Sequence, residues 1–148
     1  MCLRSTPLAV RGIGEDMTAL ADLPSLSLVL ANPLLAVSTP DVFRRLEHRQ
    51  NPPVGDRGSL GWIEFLQGLR NDLEAPARAL VPSIAEISAM LTSEGALLTR
   101  MSGSGATCFG IFASAETARR AAEHLRLRRP DWYFQDAQTS AHESGPCP

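Results

Sequence analysis

Between Gly95 and Ser114 the chain drops helical hydrophobic spacing for two short apolar runs, Ala96 to Met101 and Cys108 to Ala113. Six small residues, Ser-Gly-Ser-Gly-Ala-Thr, separate them. Runs this short need partners for their backbone groups, so the pattern predicts two strands joined by a glycine-rich turn. Helical patterns flank the pair. Pro82 opens one, in which Ile84, Ile87, Met90 and Leu91 form an apolar stripe that Gly95 ends. Ser114 begins the other as an N-cap, with Glu116 in the first turn and an end near Leu125. Leu26 to Ala31, bounded by Pro24 and Asn32-Pro33, reads as a strand, and so does Trp132 to Thr139 after Pro130. Strand, helices, strand, strand, helix, strand is the order of an α+β fold, the ferredoxin-like split βαβ sandwich, with helices on one face of an antiparallel sheet.

The helical stretch between the first two of those strands is longer than the unit needs. Thr39-Pro40-Asp41 is a helix start, with Thr39 as the capping residue and Pro40 in the first position, and the helix should reach about Glu47. Asn51 to Gly58, NPPVGDRG, is a loop. Ser59 to Leu69 and Asp72 to Leu80 read as two short helices broken near Gly68, with Trp62, Phe65 and Leu69 as core residues. Leu8 to Gly14 and Met17 to Leu23 are strand-like and surplus to the sandwich. The expected organisation is residual strands of a neighbouring domain at 1–24, the folded domain at 25–140, and a disordered tail at 141–148.

Composition removes several function classes. All 14 basic residues are arginine, so mechanisms built on a phosphate lysine or a Schiff base are excluded for this segment. A net charge of -2 carries no footprint for nucleic acid or an anionic membrane. The basic patch of Arg119-Arg120 and Arg126 to Arg129 lacks interleaved aromatics and reads as a solvated helix face. No stretch approaches the roughly 18 apolar residues of a membrane span. Cys2, Cys108 and Cys147 are far apart, as reduced thiols of a cytoplasmic protein would be, and Cys108 is expected to be buried and inert. His48, His124 and His142 show no metal-ligand spacing, so no metal site is expected. His48 and His124 fall beside arginines on predicted helices, as solvated surface positions.

The small-residue loop carries the functional information. Its N–H groups can converge into an anion-binding nest, and its small side chains let a phosphate or sugar approach the main chain. Two familiar phosphate templates fail: GxxxxGK[ST] lacks its lysine, and Cys108 stands at the third glycine of GxGxxG. Local chemistry alone leaves a plain hairpin turn and an anion nest both open. The surrounding run, Leu98 to Phe112 (LTRMSGSGATCFGIF), resembles the third sequence motif of the GHMP small-molecule kinases. Leu28 to Phe43 (LVLANPLLAVSTPDVF), Asn71 to Ala77 (NDLEAPA), Arg11 to Glu15 (RGIGE) and Trp132 to Phe134 resemble the same family in its own order.

That resemblance implies phosphoryl transfer from ATP, with Mg²⁺, to a hydroxyl of a cytidine-diphosphate-linked methylerythritol in non-mevalonate isoprenoid synthesis. It implies substrate or phosphate contacts at Ser102, Gly103, Ser104, Gly105, Ala106 and Thr107. The family's longer glycine-rich phosphate motif, its catalytic Lys and its Gly-Ala-Asp-x-Pro aspartate have no counterpart here. The chain is therefore expected to be the C-terminal part of a two-domain kinase, to hold no catalytic residue and to be inactive alone. It would meet ATP and substrate through an N-terminal domain that is missing. A free-standing ferredoxin-like module that binds a small molecule or anion is the alternative. Asn71, Asp72 and Glu74 read either as a Mg²⁺ or substrate cluster or, preferably, as a helix start capped by Asn71 or Asp72. Arg100 reads either as a phosphate contact or as an exposed strand residue.

Overall fold

Four strands pair entirely antiparallel in the order β4-β5-β3-β6, with β3 (Ser27–Asn32), β4 (Leu98–Met101), β5 (Cys108–Phe112) and β6 (Tyr133–Gln138). This computed structural model describes residues 7–12, 14–20, 22–48 and 51–140, so Cys2, Cys147, His142 and the predicted tail lie outside the described residues. Counted from β3, the sheet order is that of the ferredoxin-like split βαβ unit that the pattern predicts. In β3 the side chains of Val29 and Ala31 are buried, as alternation requires when one face of a strand meets helices.

Two helices cover that face. In α4 (Ser83–Ser93) the predicted stripe of Ile84, Ile87, Met90 and Leu91 is buried. In α5 (Ala115–Arg128) Ala118, Ala121, Ala122 and Leu125 are buried, and three alanines among four contacts let the helix lie close to the strands. Met101, Cys108, Phe112 and Phe134 close the same core from the sheet. Ser114 caps α5 as expected: its hydroxyl accepts the Thr117 N–H at 3.2 Å, and the Thr117 hydroxyl accepts the Ser114 N–H at 3.1 Å.

The intervening helices are short: α1 (Thr39–Arg44), α2 (Trp62–Gly68) and α3 (Glu74–Leu80). The first ends before Glu47, because the Leu46 N–H turns to the Phe43 carbonyl and the helical ladder stops. Its N-cap is Ser38, not Thr39, and no side chain caps it. The predicted aromatic core on α2 is a second departure. No residue of α2 is buried, and Trp62, Phe65 and Leu69 are half-buried. They line a groove of about 530 Å³ whose opposite wall is a separate two-stranded sheet, β1 (Leu8–Arg11) and β2 (Asp16–Ala19). Because α2 touches β4 and faces that hairpin across the groove, its apolar side stays partly open. The Trp62 indole donates to the Asp22 carbonyl at 2.7 Å, and the Arg57 guanidinium lies 4.8 Å from the Trp62 ring centre.

Candidate functional site

The loop between β4 and β5 closes on itself through two backbone bonds. The Ser102 N–H donates to the Thr107 carbonyl at 2.8 Å, and the Gly105 N–H to the Ser102 carbonyl at 3.1 Å. Gly103 and Gly105 have φ of +56° and +94°, a region that side chains rarely enter. Among the described residues, the consecutive N–H groups of Gly103 and Ser104 have no protein acceptor. Two adjacent unpaired N–H groups beside a positive-φ glycine form the kind of concavity that takes an anion.

Three elements grip this loop. At the end of β3, the Asn32 amide donates to the Thr107 hydroxyl at 2.8 Å, while its oxygen accepts the Leu34 N–H at 2.7 Å. At the start of α1, the Thr39 and Ser104 hydroxyls meet at 2.7 Å. Thr39 is thus spent on the loop and not on the helix cap. Just ahead of α3, the Asn71 amide donates to the Met101 carbonyl at 2.8 Å and to the Gly103 carbonyl at 2.9 Å. The Asn71 oxygen accepts the Leu73 N–H at 3.1 Å. Glu74 accepts the Met101 N–H at 3.3 Å and is itself held by Arg78, which also donates to the Ser88 hydroxyl at 3.0 Å.

The structure thus brings Ser102 to Thr107 together with Asn71 and Glu74, but in roles other than the predicted cap or metal cluster. Leu73 occupies the N-cap of α3 with no side-chain cap bond; the Asn71 oxygen accepts ahead of the helix, from the Leu73 N–H, while its amide nitrogen reaches back to the loop. Asp72 pairs with Arg70 at 2.9 Å and accepts from Asn51 at 2.9 Å. No cluster of three His, Cys, Asp or Glu side chains among the described residues could hold a metal ion. Neither reading of Arg100 survives: its guanidinium donates to the Leu66 and Leu69 carbonyls at 3.0 and 2.6 Å, tying β4 to the end of α2. Burial pulls its pKa below the ordinary arginine value, with the charge of Glu74 acting in the opposite direction.

Cys108, directly after the loop, is fully buried, and its thiol is pushed up to about 11 by that burial, with the charge of Glu74 adding to the shift. A thiol so protonated is not a nucleophile at neutral pH. His124 is exposed and paired with Glu94 at 3.2 Å; His48 is exposed and lies beyond α1 instead of on a helix. Asn32 and Thr39 are the loop partners that sequence reasoning misses. Their available signal is positional: an amide at a strand end and a hydroxyl at a helix start, both converging on the sheet edge that carries the loop.

A family model described as the C-terminal domain of GHMP kinases matches residues 55–130. The chain belongs to the GHMP kinase family. A 4-diphosphocytidyl-2-C-methyl-D-erythritol kinase of Rhizobium etli is 60% identical over 139 residues, which are 94% of this chain and 47% of that protein. A crystal structure of 4-(cytidine 5'-diphospho)-2C-methyl-D-erythritol kinase superposes with a TM-score of 0.73 at 32% identity, over 88% of this chain and 48% of the other. A homoserine kinase from Cytophaga hutchinsonii shares the fold, at 18% identity and a TM-score of 0.66, over 90% of this chain and 48% of its own. The chain spans about half the length of the curated relatives it matches. In this GHMP kinase domain the glycine loop lies inside the matched region and at the junction of β3, α1 and α3.

Proposed function

We propose that this chain is the C-terminal part of an ATP-dependent kinase that phosphorylates 4-(cytidine 5'-diphospho)-2-C-methyl-D-erythritol in isoprenoid synthesis. The observation that carries the proposal is the gripped 102–107 loop with its two unpaired N–H groups, in a domain whose relatives bear that kinase name. Phosphoryl transfer depends on positioning and on neutralising phosphate charge, and backbone N–H groups fixed in a loop do both without moving. In this reading Ser102, Gly103, Ser104, Gly105, Ala106 and Thr107 hold a phosphate of substrate or nucleotide, through main-chain atoms wherever side chains are already engaged.

The described side chains do not fit Mg²⁺, since Asp72 and Glu74 are committed to arginines and to the loop. With no lysine in the sequence, the family's lysine at the reacting hydroxyl has no counterpart here. The chain therefore contributes a phosphate-contacting surface and is inactive alone, in a cytoplasmic enzyme whose ATP and Mg²⁺ ligands are supplied elsewhere. Residues 25–140 are the domain proper, and the β1–β2 hairpin belongs with the neighbouring kinase domain.

The test is phosphate transfer from ATP to that substrate. It is measured for the chain alone and for the chain combined with the N-terminal half of the Rhizobium etli relative. We expect no turnover alone and turnover in the mixture. Turnover by the purified chain alone would overturn the division of labour. An inactive mixture whose chain still binds a phosphate probe through Gly103 and Ser104 would favour a free-standing anion-binding module.

A further inference from the structure

Both backbone groups of Met101, the last residue of β4, are taken by side chains around the start of α3: its carbonyl by Asn71 and its N–H by Glu74. The same Asn71 amide also bridges to the Gly103 carbonyl, two residues into the loop. One nitrogen thus spans the exit of the strand and the loop's first left-handed glycine, at 2.8 and 2.9 Å. Turning the Gly103 carbonyl toward α3 fixes the next peptide plane, and that plane carries the unpaired Ser104 N–H. Behind the bridge, Glu74 is held by Arg78, and Arg78 by Ser88, a buried residue of α4. The loop is therefore anchored through side chains to the core.

We propose that Asn71 is a positioning residue: it holds the 102–107 loop in its anion-accepting shape by orienting the Gly103–Ser104 peptide, with Glu74 as the second grip and Arg78 and Ser88 as the anchor. This rests on reading the loop as a phosphate site. Asn71 need not touch the anion. It acts by keeping the loop carbonyls pointed away and the N–H groups outward.

Two variants separate this from general stability. Asn71→Asp keeps the oxygen that accepts from Leu73 but replaces the donor with an oxygen facing two carbonyls. Asn71→Ser is uncharged and keeps a local acceptor, but is too short to bridge. Amide hydrogen exchange on the 148-residue chain should show the hydrogen-bonded Ser102 and Gly105 amides of the loop exchanging on the order of tenfold faster in both variants, with the β3 amides unchanged. In ¹⁵N NMR titrations with inorganic pyrophosphate, the Gly103 and Ser104 amides of the wild type should shift. The apparent Kd should rise about tenfold in Asn71→Ser, the effect expected when one hydrogen bond's worth of preorganisation is lost. Asn71→Asp should bind more weakly still, since its charge also repels the anion. Unchanged loop exchange in both variants overturns the proposal, as does faster exchange spread equally over β3 and the loop. If pyrophosphate leaves the wild-type amides unmoved, the phosphate reading of the loop fails, and the exchange measurement still decides whether Asn71 sets its shape.

Discussion

The four-stranded sheet and the β1–β2 hairpin are built from similar apolar residues, yet they end in opposite situations. On the sheet, Val29, Met101 and Phe112 are buried against α4 and α5. On the hairpin, Val10 and Met17 remain 56% and 60% exposed, and the groove toward α2 stays open. The difference lies in what each element is given to pack against. Two helices with continuous apolar stripes cover the sheet, whereas among the described residues the hairpin faces, across the groove, a seven-residue helix with no buried residue and a short loop. Apolar strands are stabilised by a covering layer, and without one they form a surface suited to association.

The sharpest way to break this contrast is to shorten one side chain in each region. Leu91→Ala, in the buried stripe of α4, should cost about 2–5 kcal/mol, because the cavity cannot collapse between α4 and the sheet. Val10→Ser on the hairpin should change stability by no more than about 0.5 kcal/mol. Urea unfolding midpoints measure both. Comparable losses would mean that the hairpin is packed in solution.

The same contrast explains what could be read beforehand. The sheet, α4 and α5 follow from periodicity and caps, since Ile84, Ile87 and Leu91 obey helical spacing and Ser114 sits where a cap must. The aromatic spacing of Trp62 and Phe65 is equally regular, but regularity names a face and not what covers it, and here that face lines an open groove with a small hairpin on the far side. At the candidate site, the sequence marks the glycine-rich turn between β4 and β5, whereas the loop bonds of Asn32, Thr39 and Asn71 carry no local signal. Those three act across 75, 65 and 32 positions of sequence, respectively, and no local pattern encodes a bond of that span.

The next effect in size separates the two regions by pH. Cys108 is buried under the sheet's helix layer, and its thiol pKa rises from about 9 to about 11. A raised folded-state value means that the native protein binds its proton more tightly than the unfolded chain does. The contribution is therefore complete below pH 9 and is lost as pH climbs through 11. Two pH units correspond to roughly 3 kcal/mol. Cys108→Ala should be less stable at neutral pH, but its stability should fall less steeply between pH 9 and 11 than the wild type's. Parallel curves would show that the thiol is accessible when folded.

Within the loop, the two left-handed glycines should differ by what lies above them. At Gly105, with φ +94°, an added Cβ would sit 2.8 Å from the Met101 sulfur and 3.3 Å from Ile84 Cδ1, whereas at Gly103 it would meet nothing within 4 Å. Gly105→Ala should cost about 1–3 kcal/mol, combining strain with a clash against the core. Gly103→Ala should cost only the left-handed backbone penalty of about 1 kcal/mol. Thermal melts of the two variants decide it, and equal losses would place the loop further from Met101 and Ile84 than the structure does.

The smallest effect tests whether the division between well-covered and poorly covered elements extends to helix ends. Among the described residues, α5, on the sheet side, has its first turn closed by reciprocal side-chain bonds, whereas α1 and α2 start at Ser38 and Gly61 with none. Ser114→Ala removes the acceptor for the Thr117 N–H and should lower stability by about 1 kcal/mol. Ser38→Ala removes a hydroxyl that caps nothing and should leave stability within about 0.5 kcal/mol of the wild type. Because serine is replaced at an N-cap in both cases, intrinsic propensity cancels and the difference reports the cap alone. Equal losses would mean that Ser38 caps α1 in solution, and that the exposed side of the molecule is better ordered at its helix ends than in its packing.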